Sequence, residues 1–341
     1  MGTALNTDTI VNFDDSILEG GDLTAEAVRR VEERLSSPSL SGTLAVGACV
    51  DRARLLGYYN RHARLGDAPR ERYSQQVLWF FEHLPHMRSG FLYLDPDRDR
   101  PEIVQAKALW RVHLSRSPED IDLLDCAASF LQDIDPRASE RLWLKAKSLA
   151  PGLDHWPHQL GRLYSVRSKA GPLATRRKWA KKALASLEEA FRLAKEPGTR
   201  FSVLVPMAYA ALNAGELKKA KRYSRQALRL SPEFKTNWSY GSILNQAHSI
   251  LGRVALKAGH IRVAKKELLE SANTPGSPEL NYYGPSFELV TDLARRGEWD
   301  AVAQYLKSIK RFWNKAVLEK WAGDIAARRV PNFEERSWIR G

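Results

Sequence analysis

Apolar residues recur three and four positions apart along almost the whole chain, and no stretch alternates apolar and polar positions in a run rich in Val, Ile or Thr. That period is helical, so the fold class is all-α. Breakers fall between the periodic segments, among them Pro118, Pro136, Pro151, Gly171-Pro172, Pro197-Gly198, Gly215, Pro232, Gly259, Pro275-Gly276 and Gly297. Their helix-length spacing predicts helix hairpins, with Gly in the internal turns and Pro at helix starts. Ahead of the hairpins, helices are predicted over 24–36, 43–65 and 71–84; the last carries Val77, Leu78, Trp79, Phe80, Phe81 and Leu84, enough apolar surface to close the first hairpin. Residues 1–22 are acidic and read as a mobile or capping tail. Lys315 to Arg329 predicts a closing helix, and Pro331 to Gly341 an irregular tail.

The hairpins repeat. Ala208, Gly215, Ala220, Ala227, Leu228 and Pro232 place small residues where two helices must approach closely, then a proline where the second helix ends. The order returns in Leu251-Gly252, Gly259, Ala264, Leu268 and Pro275, and again in Leu289, Gly297, Trp299, Val302 and Leu306. Upstream, Phe130, Trp143, Ala146 and Pro151 lead into Trp156, Leu160-Gly161 and Tyr164, with Ala183, Leu187 and Ala190 after an insertion of about ten residues relative to a 34-residue unit. These residues resemble the tetratricopeptide repeat (TPR), a helix-turn-helix unit with the pattern W-x2-L-G-x2-Y, then A-x3-F and a final P. The tryptophan position holds Leu204 and His248 in two repeats. The stretch Thr274-Pro275-Gly276-Ser277-Pro278, with Tyr283-Gly284-Pro285 and Phe312-Trp313, is also similar to a bacterial group of TPR proteins of unassigned function.

The resemblance implies a right-handed α-solenoid of TPR-like hairpins with N- and C-terminal capping helices, which cover the stacking faces a terminal repeat would expose. Residues 1–22 form the tail, 23–85 the N-terminal capping helices, 86–316 about six repeats, and 317–341 the C-terminal cap and tail. The repeats fall near 87–119, 120–153, 154–197, 201–234, 245–278 and 283–316, with a spacer over 235–244. The resemblance further implies that the first helix of each hairpin lines a groove through repeat positions 2, 5, 9, 12 and 13. Transferred to this sequence, these are His155, His158, Arg162 and Ser165, then Ser202, Tyr209 and Asn213, then Gln246, Ser249, Arg253 and Lys257, then Phe287, Thr291 and Arg295. The preceding repeat offers Ile121, Leu124, Ala128 and Leu131, so the expected groove begins apolar and ends basic.

Charge sharpens this picture. The chain of 341 residues carries 53 Lys+Arg against 40 Asp+Glu, a net +13. Residues 162–230 alone hold 17 basic and 4 acidic groups, an excess as large as that of the whole chain. Guanidinium forks in the groove suit a carboxylate, so the leading expectation is a non-enzymatic interaction scaffold that binds an acidic peptide or carboxylate-bearing partner. A second basic set lies on second helices: Arg176, Arg177, Lys178, Trp179, Lys181 and Lys182, then Lys218, Lys221, Arg222 and Arg225. Lys/Arg clusters with an interleaved Trp can neutralise phosphates and stack on a base, which makes RNA or DNA binding an alternative. The bland account of the same set is a solvated helix face with Trp179 in the core.

Candidate chemistry is sparse. Gly-rich phosphate loops, G-x-S-x-G, H-E-x-x-H and Cys-His motifs are missing from the sequence, so no catalytic residue, metal or cofactor is expected. An enzyme or small-molecule pocket within the helical array stays open as a third alternative. His83-Leu84-Pro85-His86 and His155-Trp156-Pro157-His158 share a spacing that could bring two imidazoles together, but the nearest carboxylates, Glu82 and Asp154, would point away. Asp120, Asp122, Asp125, Asp133 and Asp135 form an acidic cluster that helix starts explain as well as a cation would. Cys49 and Cys126 sit in apolar contexts and are expected as buried thiols. No run of about 18 apolar residues could span a bilayer. Met1-Gly2-Thr3-Ala4-Leu5-Asn6 lacks the regions of a signal peptide, so a cytoplasmic protein without membrane insertion is expected.

Overall fold

The computed structural model describes residues 13–36, 46–66, 68–313 and 315–333; every regular element among them is a helix. The predicted tail residues 1–12 and 334–341, and the start of the helix predicted over 43–65, lie outside the described residues. The chain divides into two compact units, residues 1–151 and 152–341.

Unit 1 holds α1 (Phe13–Gly20), α2 (Ala25–Leu35), α3 (Val46–Leu65), α4 (Arg70–His83), α5 (Arg100–Arg116), α6 (Ile121–Leu131) and α7 (Pro136–Leu149). Part of the acidic N-terminal segment is thus a packed helix: α1 buries Phe13 and Ile17, and Phe13 meets Phe80 edge-on at 6.2 Å. Its backbone runs directly against α3, because Gly20 and Gly57 bring no side chain to the crossing. Phe81, Trp110 and Phe130 form the aromatic centre, with ring centroids 5.0–6.3 Å apart.

The segment expected as a first hairpin, 87–119, contributes one helix, α5; residues 84–99 form a loop. Pro85, Gly90, Asp95, Pro96 and Asp97 supply turn chemistry in place of helical continuity. A buried ion pair fixes this loop. Asp99 accepts from both Arg70 Nε and a terminal nitrogen at 2.7 Å, and from the Asp95 backbone N–H at 2.7 Å. The Tyr73 hydroxyl lies 2.8 Å from the carbonyls of Phe91 and Tyr93.

Helices α6 and α7 form the hairpin predicted over 120–153. The acidic cluster is absorbed by its construction. Asp120 caps α6 by accepting from the Asp122 and Leu123 N–H groups, and its other oxygen lies 2.8 Å from His86. Asp135 caps α7. Asp125 is buried, accepts from Trp143 Nε1 at 2.7 Å and pairs with Arg88 at 3.1 Å. Both thiols are buried, and burial pushes Cys126 up to about 11.

Unit 2 pairs α8 (His155–Arg167) with α9 (Leu173–Leu193), α10 (Pro197–Ala214) with α11 (Leu217–Leu230), and α12 (Tyr240–Lys257) with α13 (Ile261–Ala272). It continues through a short α14 (Pro278–Tyr283), then α15 (Glu288–Ala294) paired with α16 (Trp299–Ile309), and closes with α17 (Val317–Ala326). The small residues stand at close approaches. A Cβ on Gly161 would come within 2.6 Å of Leu187, and one on Gly252 within 2.3 Å of Leu289. Ala208, Ala220, Ala227 and Ala264 are fully buried. Gly215 ends α10 at φ 85°, a left-handed cap that other residues adopt at a cost, and Gly259 and Gly297 hold the same place in the next two hairpins. His248, in the place of a packing Trp, lies half-buried with Nδ1 2.7 Å from Glu267. The spacer is shorter than expected: a 3-10 turn takes Ser231–Phe234, and α12 already begins at Tyr240.

Candidate functional site

Four first helices or their flanks in unit 2 bring polar side chains to one cleft of about 820 Å³. Tyr209 and Asn213 are four apart on α10 and share a face. Arg253 comes from α12, and Glu288, Thr291, Asp292 and Arg295 form one stripe along α15 and its end. Lys169 and Arg176 enter from the turn and second helix of the α8–α9 hairpin, while Tyr283, Phe287 and Phe333 supply aromatic surface. Phe287 and Phe333 stack at 5.4 Å, nearly parallel.

Charge is sorted within the cleft. Arg253, only 18% exposed, donates to Glu288 Oε2 at 2.6 Å and to Asp292 Oδ2 at 3.1 Å. Burial works against its charge, but the two carboxylates outweigh that and hold its pKa above the ordinary arginine value. Tyr209 donates its hydroxyl to the other Glu288 oxygen; burial first, then Glu288, pushes it up to about 12. These groups satisfy one another. Lys169, Arg176 and Arg295 are exposed and have no carboxylate partner among the described residues. The sequence-derived groove counted Arg253 as a free cation; the structure uses it to join α12 to α15.

Of the other expected groove residues, His155, His158, Arg162, Gln246 and Lys257 do not line this cleft. Ser249 is 3% exposed and packed within the helix array, so a ligand in the groove cannot reach it. Leu124, Ala128 and Leu131 are buried as well, which removes the open apolar start expected from α6. Glu288, Asp292 and Lys169 were not singled out by the repeat register, which marks positions and not their countercharges. Among the described residues, no group of three His, Cys, Asp or Glu side chains could hold a metal ion. No helix of these residues is long and apolar enough to cross a membrane.

His158 has a consequence of its own. Burial, then Arg162 and His155, lower its pKa to about 4, with Asp154 opposing weakly. Between about pH 6.5 and 4 the unfolded chain takes up a proton that folded His158 refuses, so stability is lost as pH falls through this window. The loss should reach about 2–3 kcal/mol at the acid end. Urea midpoints of the native chain and His158→Gln, compared at about pH 7 and about pH 4.5, should converge at the lower pH. A constant gap would show that His158 is not held neutral.

The second basic set divides. Arg176 lines the cleft instead of the second-helix face. Arg177 Nε donates to the Ala214 carbonyl at 3.1 Å, capping α10. Trp179 is neither a core residue nor an open platform: it is half-buried, stacked on Tyr164 at 5.6 Å, with the Arg167 guanidinium 3.6 Å and Lys182 4.8 Å from its ring centre. Arg222 lies over the Tyr223 ring and donates to its hydroxyl. Lys178, Lys181, Lys218, Lys221 and Arg225 remain exposed and without an ion pair among the described residues.

Paired antiparallel helices, glycine-capped turns and small residues at the crossings make the described residues an all-α array of helix hairpins that resembles tetratricopeptide repeats. No protein-family model matches the sequence, and no curated protein matches it. Among solved structures, the chain is similar to PilW, described as a widely conserved type IV pilus biogenesis factor, with a TM-score of 0.42 and 15% identity over 72% of this chain and 95% of that one. It is likewise similar to pilF of Pseudomonas aeruginosa, with a TM-score of 0.42 and 18% identity over 75% of this chain and 99% of that one.

Proposed function

We propose that this chain is a protein-interaction module whose unit 2 cleft binds an acidic peptide segment bearing an apolar side chain. One observation carries the reading: three exposed cations without carboxylate partners among the described residues, Lys169, Arg176 and Arg295, share a cleft with exposed Tyr283 and half-buried Phe287. Such a surface offers an apolar seat together with bidentate oxyanion recognition. The Arg253–Glu288–Asp292 set fixes the wall and adds no net attraction, because its two carboxylates exceed its one guanidinium. The ligand's charge is therefore read by the outer three cations.

The test uses a fluorescein-labelled, end-blocked peptide of about ten residues that alternates Glu and Phe, followed by anisotropy against the full chain. Binding should lie in the micromolar range, and Arg176→Glu with Arg295→Glu should weaken it by about 30-fold or more, since two charge-assisted contacts become repulsive. Equal affinity for the double variant, or for a Lys/Phe peptide of the same design, overturns the reading.

A further inference from the structure

Helices α9 and α11 carry a charged surface that the cleft does not use. Arg177 reaches Ala214, just ahead of α11, while Glu188 accepts from Lys219 at 2.8 Å and from the Tyr223 hydroxyl at 2.5 Å, one to two turns into it. The two helices therefore run side by side in the same direction. Lys181 lies on the same side of α9 as Arg177 and Glu188, toward α11. Lys218, Lys221 and Arg225 follow at spacings of three and four, a stripe about 10 Å long. With Lys178 these make five exposed cations that no carboxylate, ring or carbonyl engages among the described residues; Arg192 and Arg229, toward the C-terminal ends of the two helices, are exposed in the same way.

We infer that this surface is a binding site for the phosphate backbone of double-stranded nucleic acid, without base recognition. Three observations choose that partner. On the two helices the one exposed large apolar side chain among the described residues is Leu173, at the first turn of α9, so the surface lacks the continuous apolar face a membrane-lying helix inserts and the central anchor of a protein interface. Trp179, the aromatic residue in the run, is half-buried, stacked on Tyr164 and covered by the Arg167 guanidinium, so it is not an open platform for an unpaired base. What is left is a rigid row of single-sign charges on packed helices, which suits a polyanion of regular spacing. Contacts of this kind position a protein on a duplex and carry no sequence information.

The experiment is anisotropy of the full chain with a labelled duplex of about 30 base pairs and mixed sequence, titrated across salt. Five neutralised phosphates give a slope of about −4.5 in log affinity against log salt, so going from about 50 mM to about 200 mM should weaken binding about 500-fold. Lys218→Gln with Lys221→Gln should flatten the slope by about 1.8, with an unchanged circular dichroism spectrum. Duplexes of different sequence should bind alike. Arg176→Glu with Arg295→Glu, which tests the peptide cleft, should leave the Lys218/Lys221 effect intact, so each reading can fail without the other. The inference is overturned by no binding at about 100 µM chain in about 50 mM salt, by a slope unchanged in the glutamine variant, or by equal binding to vesicles rich in phosphatidylserine.

Discussion

Replacing Gly57 with alanine should destabilise unit 1 by about 3–4 kcal/mol, far beyond an ordinary surface change of one methyl group. The reason is backbone, not side-chain, crowding. A Cβ at position 57 would stand 1.7 Å from the Ile17 carbonyl oxygen, and one at position 20 only 2.1 Å from that of Arg54. No rotamer change can relieve such an overlap, so α1 has to retreat from α3. Retreat would draw Phe13 and Ile17, 4% and 1% exposed, out of contact with Phe80 and its neighbours. Hydrogen exchange should show α1 amides losing protection first, and the urea midpoint should fall with it. A Gly57→Ala chain within about 1 kcal/mol of native would mean that α1 is not packed on α3 as described.

Asn245→Leu should cost unit 2 a similar amount, about 3–4 kcal/mol, although it keeps the branched outline of the side chain and adds apolar surface. Asn245 is completely buried. Its amide donates to the Ser271 carbonyl at 2.9 Å and approaches the Tyr305 hydroxyl at 3.5 Å, while its oxygen accepts from the Ser286 N–H at 3.0 Å. One side chain thus satisfies groups from the end of α13, from α16 and from the strap before α15. A leucine would strand at least the carbonyl and the N–H in a dry site, each at about 1–3 kcal/mol. Ser286 directly precedes Phe287 and Glu288, so loss of the strap should also loosen the cleft. Thermal unfolding and acidic-peptide anisotropy should therefore change together. An unaltered melting temperature would show that the strap is held by other means.

The hairpins were legible because their information is local. Gly161, Ala208, Gly215, Ala220 and Ala264 each announce a close helix crossing or a turn within one repeat, and Gly252 one to the next repeat, and the structure places each at one. What escaped the pattern depends on partners far apart in sequence. Asp99 meets Arg70 across 29 positions and turns an expected helix into a loop; Arg253 meets Asp292 across 39 and ceases to be a free cation. Repeat register told which residues face a common side without telling which of them neutralise one another. Arg176 and Arg177 sit on a second helix as expected, but on early turns that the repeat pattern does not have, and these carry Arg176 into the cleft and Arg177 to the Ala214 carbonyl.

That length alters how the molecule can be taken apart. Helix α9 has 21 residues where α11 has 14 and α13 has 12, an excess of roughly 10 Å at 1.5 Å per residue. The extra turns carry Arg177 to the far end of the following hairpin, where its guanidinium lies within 2.2 Å of the point a Cβ on Gly215 would occupy. One hairpin therefore finishes the first helix of the next. Cutting, swapping or permuting the chain between residues 173 and 215 would separate a helix end from its donor, so these two hairpins behave as one indivisible module where repeat arrays are usually exchanged unit by unit.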